Sequence, residues 1–146
     1  MSCKEFEDKI FLTSTDTTVG FISKSVTALD RAKDRLEGKK YIKALPSLKS
    51  IEKRVPKKFK KIVRRANKTT FILTKDYSFR VIKDKPHLLL IKRLNGAFTT
   101  SANKSGFEFD YEFAFNKADI IVYPLKKVGH PSNIYKIGKK KIKRVR

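Results

Sequence analysis

The sequence predicts an α/β domain built around one mixed sheet with flanking helices. Three observations predict it. Strand-length apolar runs alternate with segments of helical periodicity. Two of the runs, 69–73 and 78–82, lie close enough to pair as a hairpin, so the sheet is not purely parallel. The chain has 146 residues, 40% of them apolar and 11% aromatic, and no Gly/Ser linker or repeat divides it. One domain, 1–146, with a single core is the expectation.

The elements follow in order. Ile10-Phe11-Leu12 reads as a buried strand that ends in the polar loop Thr13–Thr18. Thr27 and Asp30 mark a helix start, and Leu29, Ala32 and Leu36 follow at helical spacing. Tyr41–Leu45 is a short strand, after which Ser47 caps a helix carrying Leu48 and Ile51. Pro56 opens another helix, with Phe59, Ile62, Val63 and Ala66 on one face and lysines and arginines on the other. The 69–73 and 78–82 strands turn at Asp76-Tyr77. Pro86 starts a helix through Leu94 that Asn95-Gly96 stops. Strands at 98–100, 119–123 and 133–137 complete the set.

Charge is the outlier. Thirty-six Lys and Arg against 14 Asp and Glu give +22, which points to polyanionic partners and not to a fold. Residues 53–68 hold nine basic side chains and no acid, and residues 136–146 hold seven more and no acid. That clustering favours a polyanion surface, tRNA or double-stranded RNA included, over uniform decoration. The lone cysteine, Cys3, rules out an internal disulfide and a multi-cysteine metal site. The longest aliphatic run is Leu88–Ile91, and the N-terminus has no apolar h-region. The expectation is a cytoplasmic protein that does not engage a membrane.

Local chemistry is sparse. His87 and His130 are the only histidines, and no P-loop, GxGxxG, GxSxG or HExxH motif occurs. An enzyme built from this chain works by positioning and charge stabilisation. The loop Ser101–Gly106 (SANKSG) suits phosphate oxygens, because it offers small residues, a hydroxyl and an amide. Lys33 and Arg35 share a side only where the chain is not helical. Arg80 sits among Phe79, Val81 and Ile82, a setting that calls for a carboxylate partner or a site.

Taken together, these segments resemble the YrdC family of threonylcarbamoyl-AMP synthases, the TsaC type that serves tRNA t6A modification. Ser14–Gly20 (STDTTVG) resembles the family's P-T-[DE]-T-V-Y-G, with Ser14 and Val19 in place of its proline and tyrosine. Lys33-Asp34-Arg35 resembles K-x-R, Ser78–Val81 resembles G-V-R-V, and Ser101–Gly106 resembles S-A-N-x-S-G. Pro131–Ile134 resembles P-S-T-I, and Ile142-Lys143-Arg144 resembles the terminal I-x-R.

The resemblance implies a single twisted α/β domain with a concave basic cavity. It implies an ATP-dependent nucleotidyltransferase that joins L-threonine, bicarbonate and ATP and releases pyrophosphate. Lys33 and Arg35 would be catalytic. Together with Asn103 and Arg144 they would bind ATP, while Thr17, Arg80, Ser101 and Ser132 would bind threonine. Mg²⁺ would be held mainly by the phosphates, with no metal ligands from the protein, and other t6A-pathway proteins are possible partners. The alternative is a YrdC-like RNA-binding protein without adenylation activity.

Overall fold

The computed structural model describes residues 3–35, 40–126 and 130–146. In it β1 (Phe11–Ser14) and β2 (Val19–Ser23) pair antiparallel around the polar loop 15–18. The sequence reading has no strand at β2, because all five of its residues are buried and the half-buried alternation is absent. α1 (Val26–Ala32) is capped by Ser25, whose hydroxyl accepts from the Ala28 N–H; Thr27 is already inside the helix. Leu36 lies outside the described residues.

After β3 (Ile42–Leu45), Ser47 and Pro56 each precede a single 3-10 turn, at Leu48–Ser50 and Lys57–Phe59. The second continues as α2 (Lys60–Arg65). Here Phe59 and Val63 are buried while Ile62 is 48% exposed, so the apolar face is narrower than the spacing predicts. The tighter 3-10 entry shifts the phase of the segment.

β4 (Thr69–Thr74) and β5 (Tyr77–Val81) form the expected hairpin. α3 (Lys85–Leu94) begins with the Asp84 carboxylate accepting from the His87 N–H and ends at Asn95, whose φ of 55° is left-handed. β6 (Ala97–Ser101), α4 (Tyr111–Lys117), β7 (Ile120–Val122), β8 (Asn133–Ile137) and β9 (Ile142–Arg144) follow. Neither α4 nor β9 is in the sequence reading. Tyr111, Phe113 and Phe115 alternate as a strand would, and β9 is three residues inside a charge run.

The nine strands among the described residues form one mixed sheet in the order β7-β1-β2-β6-β3-β5-β4-β8-β9. β1–β7, β3–β5 and β4–β8 are parallel pairs, and the rest are antiparallel. Side chains alternate between the two faces. On one face Ile22, Ala44, Ile82 and Ala97 pack under Ile91 and Leu94 of α3. On the other, Leu12 and Phe21 pack under α1 and α4, and Phe71 and Phe79 pack under Phe59 and Val63. No helix among the described residues is long and apolar enough to cross a membrane.

α3 covers only part of its face. Gly20, Ile42, Arg80 and Thr99 lie two residues along the chain from Ile22, Ala44, Ile82 and Ala97, so they share that face but lie beyond the helix. They floor a cavity. Arg80 ties the 15–18 loop to this floor. Its Nη1 donates to Asp16 Oδ1 at 2.9 Å and to Thr17 Oγ1 at 3.1 Å, and all three residues are buried. Burial pushes the Asp16 carboxyl up and the Arg80 guanidinium down, and each charge opposes the other's shift.

His87 closes the cluster from α3, with Nδ1 3.8 Å from Asp16 Oδ1 and no hydrogen-bond partner on either ring nitrogen. Burial, and after it the Arg80 charge, hold its pKa at about 4 against the ordinary 6.5. The ring is neutral at pH 7. Below pH 6.5 the unfolded chain binds a proton that native His87 refuses, so this group's stability contribution is lost as pH falls from 6.5 to about 4. Over that window the loss is about 3 kcal/mol. Asp16 acts with opposite sign, because its raised pKa makes the native state hold a proton more readily. Comparing wild type with His87→Leu removes the Asp16 contribution. Urea midpoints measured between pH 7 and 4 should fall more steeply for wild type, and parallel curves would disprove a neutral buried His87.

Candidate active site

The cavity on the α3 face holds about 500 Å³, within the range of small-molecule sites. Five segments distant in sequence wall it: Thr15 with Thr17 and Thr18, Arg35 with Lys40 and Tyr41, the β6 end at Ser101, Pro131-Ser132, and Arg146. Its charged lining is Arg35, Lys40, Arg80 and Arg146, with no carboxylate among the described lining residues.

The 15–18 loop is stitched by its own hydroxyls. Thr15 Oγ1 donates to the Thr18 carbonyl at 2.6 Å and accepts from the N–H groups of Thr17 and Thr18. Gly20 makes room for this fold-back, since a Cβ there would stand 2.9 Å from the Thr100 carbonyl oxygen and 3.0 Å from Thr15 Cγ2. The hydroxyl of Ser132, also buried, is 2.8 Å from that of Thr70.

The Lys33–Arg35 segment departs from helix. α1 ends at Ala32, Lys33 is its C-cap, and Asp34 adopts a left-handed φ of 51°. The Lys117 ammonium holds that turn through Asp34 at 3.1 Å. Both cations therefore reach the same loop. Lys33 Nζ donates to the Ser101 carbonyl at 2.8 Å and to Asn103 Oδ1 at 3.2 Å, and Arg35 Nε donates to the Ser105 hydroxyl. Asn103 in turn donates to the carbonyls of Lys104 and Phe107, which fixes the loop's return. The Arg35 guanidinium carbon also stands 5.5 Å from the centroid of the Tyr41 ring, and Tyr41 donates to buried Asp30 at 2.6 Å. Burial raises the Tyr41 pKa, so the phenol keeps its proton for that bond.

Of the eight residues assigned by resemblance, Thr17, Arg35, Arg80, Ser101 and Ser132 line the cavity. Lys33 and Asn103 stand behind Ser101, with Lys33 1% exposed. Arg144 does not reach the cavity. It pairs in register with Tyr135, and Tyr135 shares its face with Phe71, the face that packs under α2. The arginine at the wall is Arg146, whose Nε and Nη2 donate to the Ser132 carbonyl at 3.2 and 3.0 Å. Sequence reasoning missed Arg146, Asp16 and Tyr41. Asp16 alone had a signal, as the acid inside the STDTTVG segment and a match for a strand-borne arginine.

These donors suit an anionic or zwitterionic ligand. They do not suit a divalent ion held by the protein, since Asp16 is committed to Arg80 and no metal-ligating cluster occurs among the described residues.

No protein-family model matches the chain, and no curated protein matches it in sequence. Solved structures do match in fold. P. abyssi Sua5, complexed with L-threonine, superposes with a TM-score of 0.81 at 18% identity, covering 97% of this chain and 52% of Sua5. E. coli YciO gives 0.76 at 17% identity over 99% of this chain and 85% of its own. Full-length HypF, in a phosphate- and nucleotide-bound form, gives 0.75 at 16% identity over 99% of this chain and 28% of HypF. The chain thus spans about half the length of the Sua5 it matches. The architecture expected from the resemblance, a single α/β domain of the YrdC/Sua5 fold, is the fold of this protein.

Proposed function

We propose that the protein is a threonylcarbamoyl-AMP synthase. The observation that carries this reading is the cavity's donor set: four cations and several hydroxyls gathered from five segments, with no carboxylate among the described lining residues. The likeness to a Sua5 complexed with L-threonine supports it. The threonine amine attacks bicarbonate and water leaves, giving a carbamate. The carbamate oxygen then attacks the α-phosphorus of ATP and pyrophosphate departs. Both nucleophiles belong to substrates, so the protein's task is proximity and charge neutralisation. Mg²⁺ would arrive on the triphosphate.

In this reading Arg80, which lines the cavity floor, takes the threonine carboxylate. Thr17, Ser101 and Ser132 orient the amino acid. Arg35 and Arg146 face the phosphates. Lys33 and Asn103 are positioning residues that hold the Ser101–Ser105 loop.

The test is pyrophosphate release from ATP by the purified protein. Release should require threonine and bicarbonate together, and release independent of threonine, or none at saturation, overturns the reading. Arg35→Ala should lower kcat/KM by about one to two decades with the protein still folded, because a charge-assisted contact is worth roughly 1.5–3 kcal/mol. A separate comparison discriminates the two C-terminal arginines. Arg146→Ala should reduce kcat/KM by about a decade, while Arg144→Ala should leave it at the wild-type value; the reverse pattern would return Arg144 to the site.

A further inference from the structure

The two basic windows of the sequence meet in the folded chain. Lys58 Nζ donates to the Lys140 carbonyl at 2.7 Å, joining the 3-10 turn before α2 to the β8–β9 turn. A recess of about 250 Å³ has Lys53 and Arg54 on one side and Lys139 on the other. Arg54 also borders a second recess of about 440 Å³, lined by Lys57, Lys60, Lys61 and Arg64. The result is one continuous basic face. It lies on the side of the sheet opposite the cavity, since Phe59 and Val63 anchor α2 on Phe71 and Phe79 while Arg80 and Ile134 point the other way.

Among the described residues no ion pair neutralises this face. The ion pairs that form among them join Lys40 to Asp76, Arg80 to Asp16, and Lys117 to Asp34, none of them here. Like charges three and four residues apart along 57–64 oppose helix formation by a few tenths of a kcal/mol per pair. An external polyanion would remove that repulsion.

We infer that this face docks a nucleic acid through its phosphate backbone, independently of the chemistry in the cavity. A membrane surface fits less well. An interfacial helix needs its apolar side for the bilayer, and here Phe59 and Val63 are buried in the core. An acidic protein partner fits less well where the charge is densest, since the second recess offers it Val55 alone among cations, although the first recess adds Pro56, Leu73 and Ile137.

The test is fluorescence anisotropy with an RNA hairpin of ~20 base pairs, titrated with salt. Contact with about five phosphates gives a log–log slope near −4 to −5 by the duplex counterion rule. Replacing Lys57, Lys60, Lys61 and Arg64 by Gln should flatten the slope by roughly 3–4 units. The matched variant Lys75, Lys83, Lys85 and Lys92→Gln removes the same charge elsewhere and should change the slope by less than about one unit. Unchanged melting temperatures establish that both variants fold. Equal losses in the two variants would mean that net charge alone binds RNA. Tighter binding of wild type to phosphatidylserine vesicles or to polyglutamate than to the hairpin, at equal salt, would assign the face to a membrane or a protein. Either result overturns the inference.

Discussion

The cavity depends on one buried ion pair. Arg80 lies mid-sheet on β5 and Asp16 lies on the loop between β1 and β2, 64 residues apart in the chain, and their 2.9 Å contact holds the loop over the floor. Two charges withdrawn from water are costly unless matched, and removing one partner of such a pair typically costs about 3–5 kcal/mol. The pair is less a source of net stability than a constraint on which loop geometry is tolerable. Any arrangement that swings the 15–18 loop away strands a guanidinium in the sheet. His87 does not relieve the constraint, since its ring is neutral and makes no hydrogen bond to either charge.

The sheet's two-residue alternation then divides labour between its faces. Ile134 belongs to the cavity and its neighbour Tyr135 to the α2 side. Arg144, in register with Tyr135, goes with it, while Arg146, beyond the last paired residue, turns back to the Ser132 carbonyl. Neighbouring residues thus serve different surfaces, and a small-molecule pocket and a basic exterior coexist in 146 residues without sharing side chains.

What could be read from the sequence follows from this geometry. The 69–81 hairpin, the Pro86 helix with its Asn95 stop and the β8 strand announce themselves, because turn chemistry and periodicity are local properties. β2 does not, because its full burial erases alternation. The convergence of Lys33 and Arg35 on the 101–105 loop was expressible only as a condition, that the helix end at Lys33, and the left-handed Asp34 meets it. The choice between Arg144 and Arg146 was not legible at all. It turns on the register of a three-residue strand, and motif spacing carries no register.

The sheet's two outermost strands, β7 and β9, have three residues each. An exposed edge is a template for another chain, and brevity is one defence against polymerisation. β9 adds a second defence, since Lys143 and Arg144 make its rim cationic on a molecule already at +22. A second copy approaching that rim meets like charge before it can form a backbone bond. That repulsion would be strongest at low ionic strength, and concentrated salt is the condition that would weaken it.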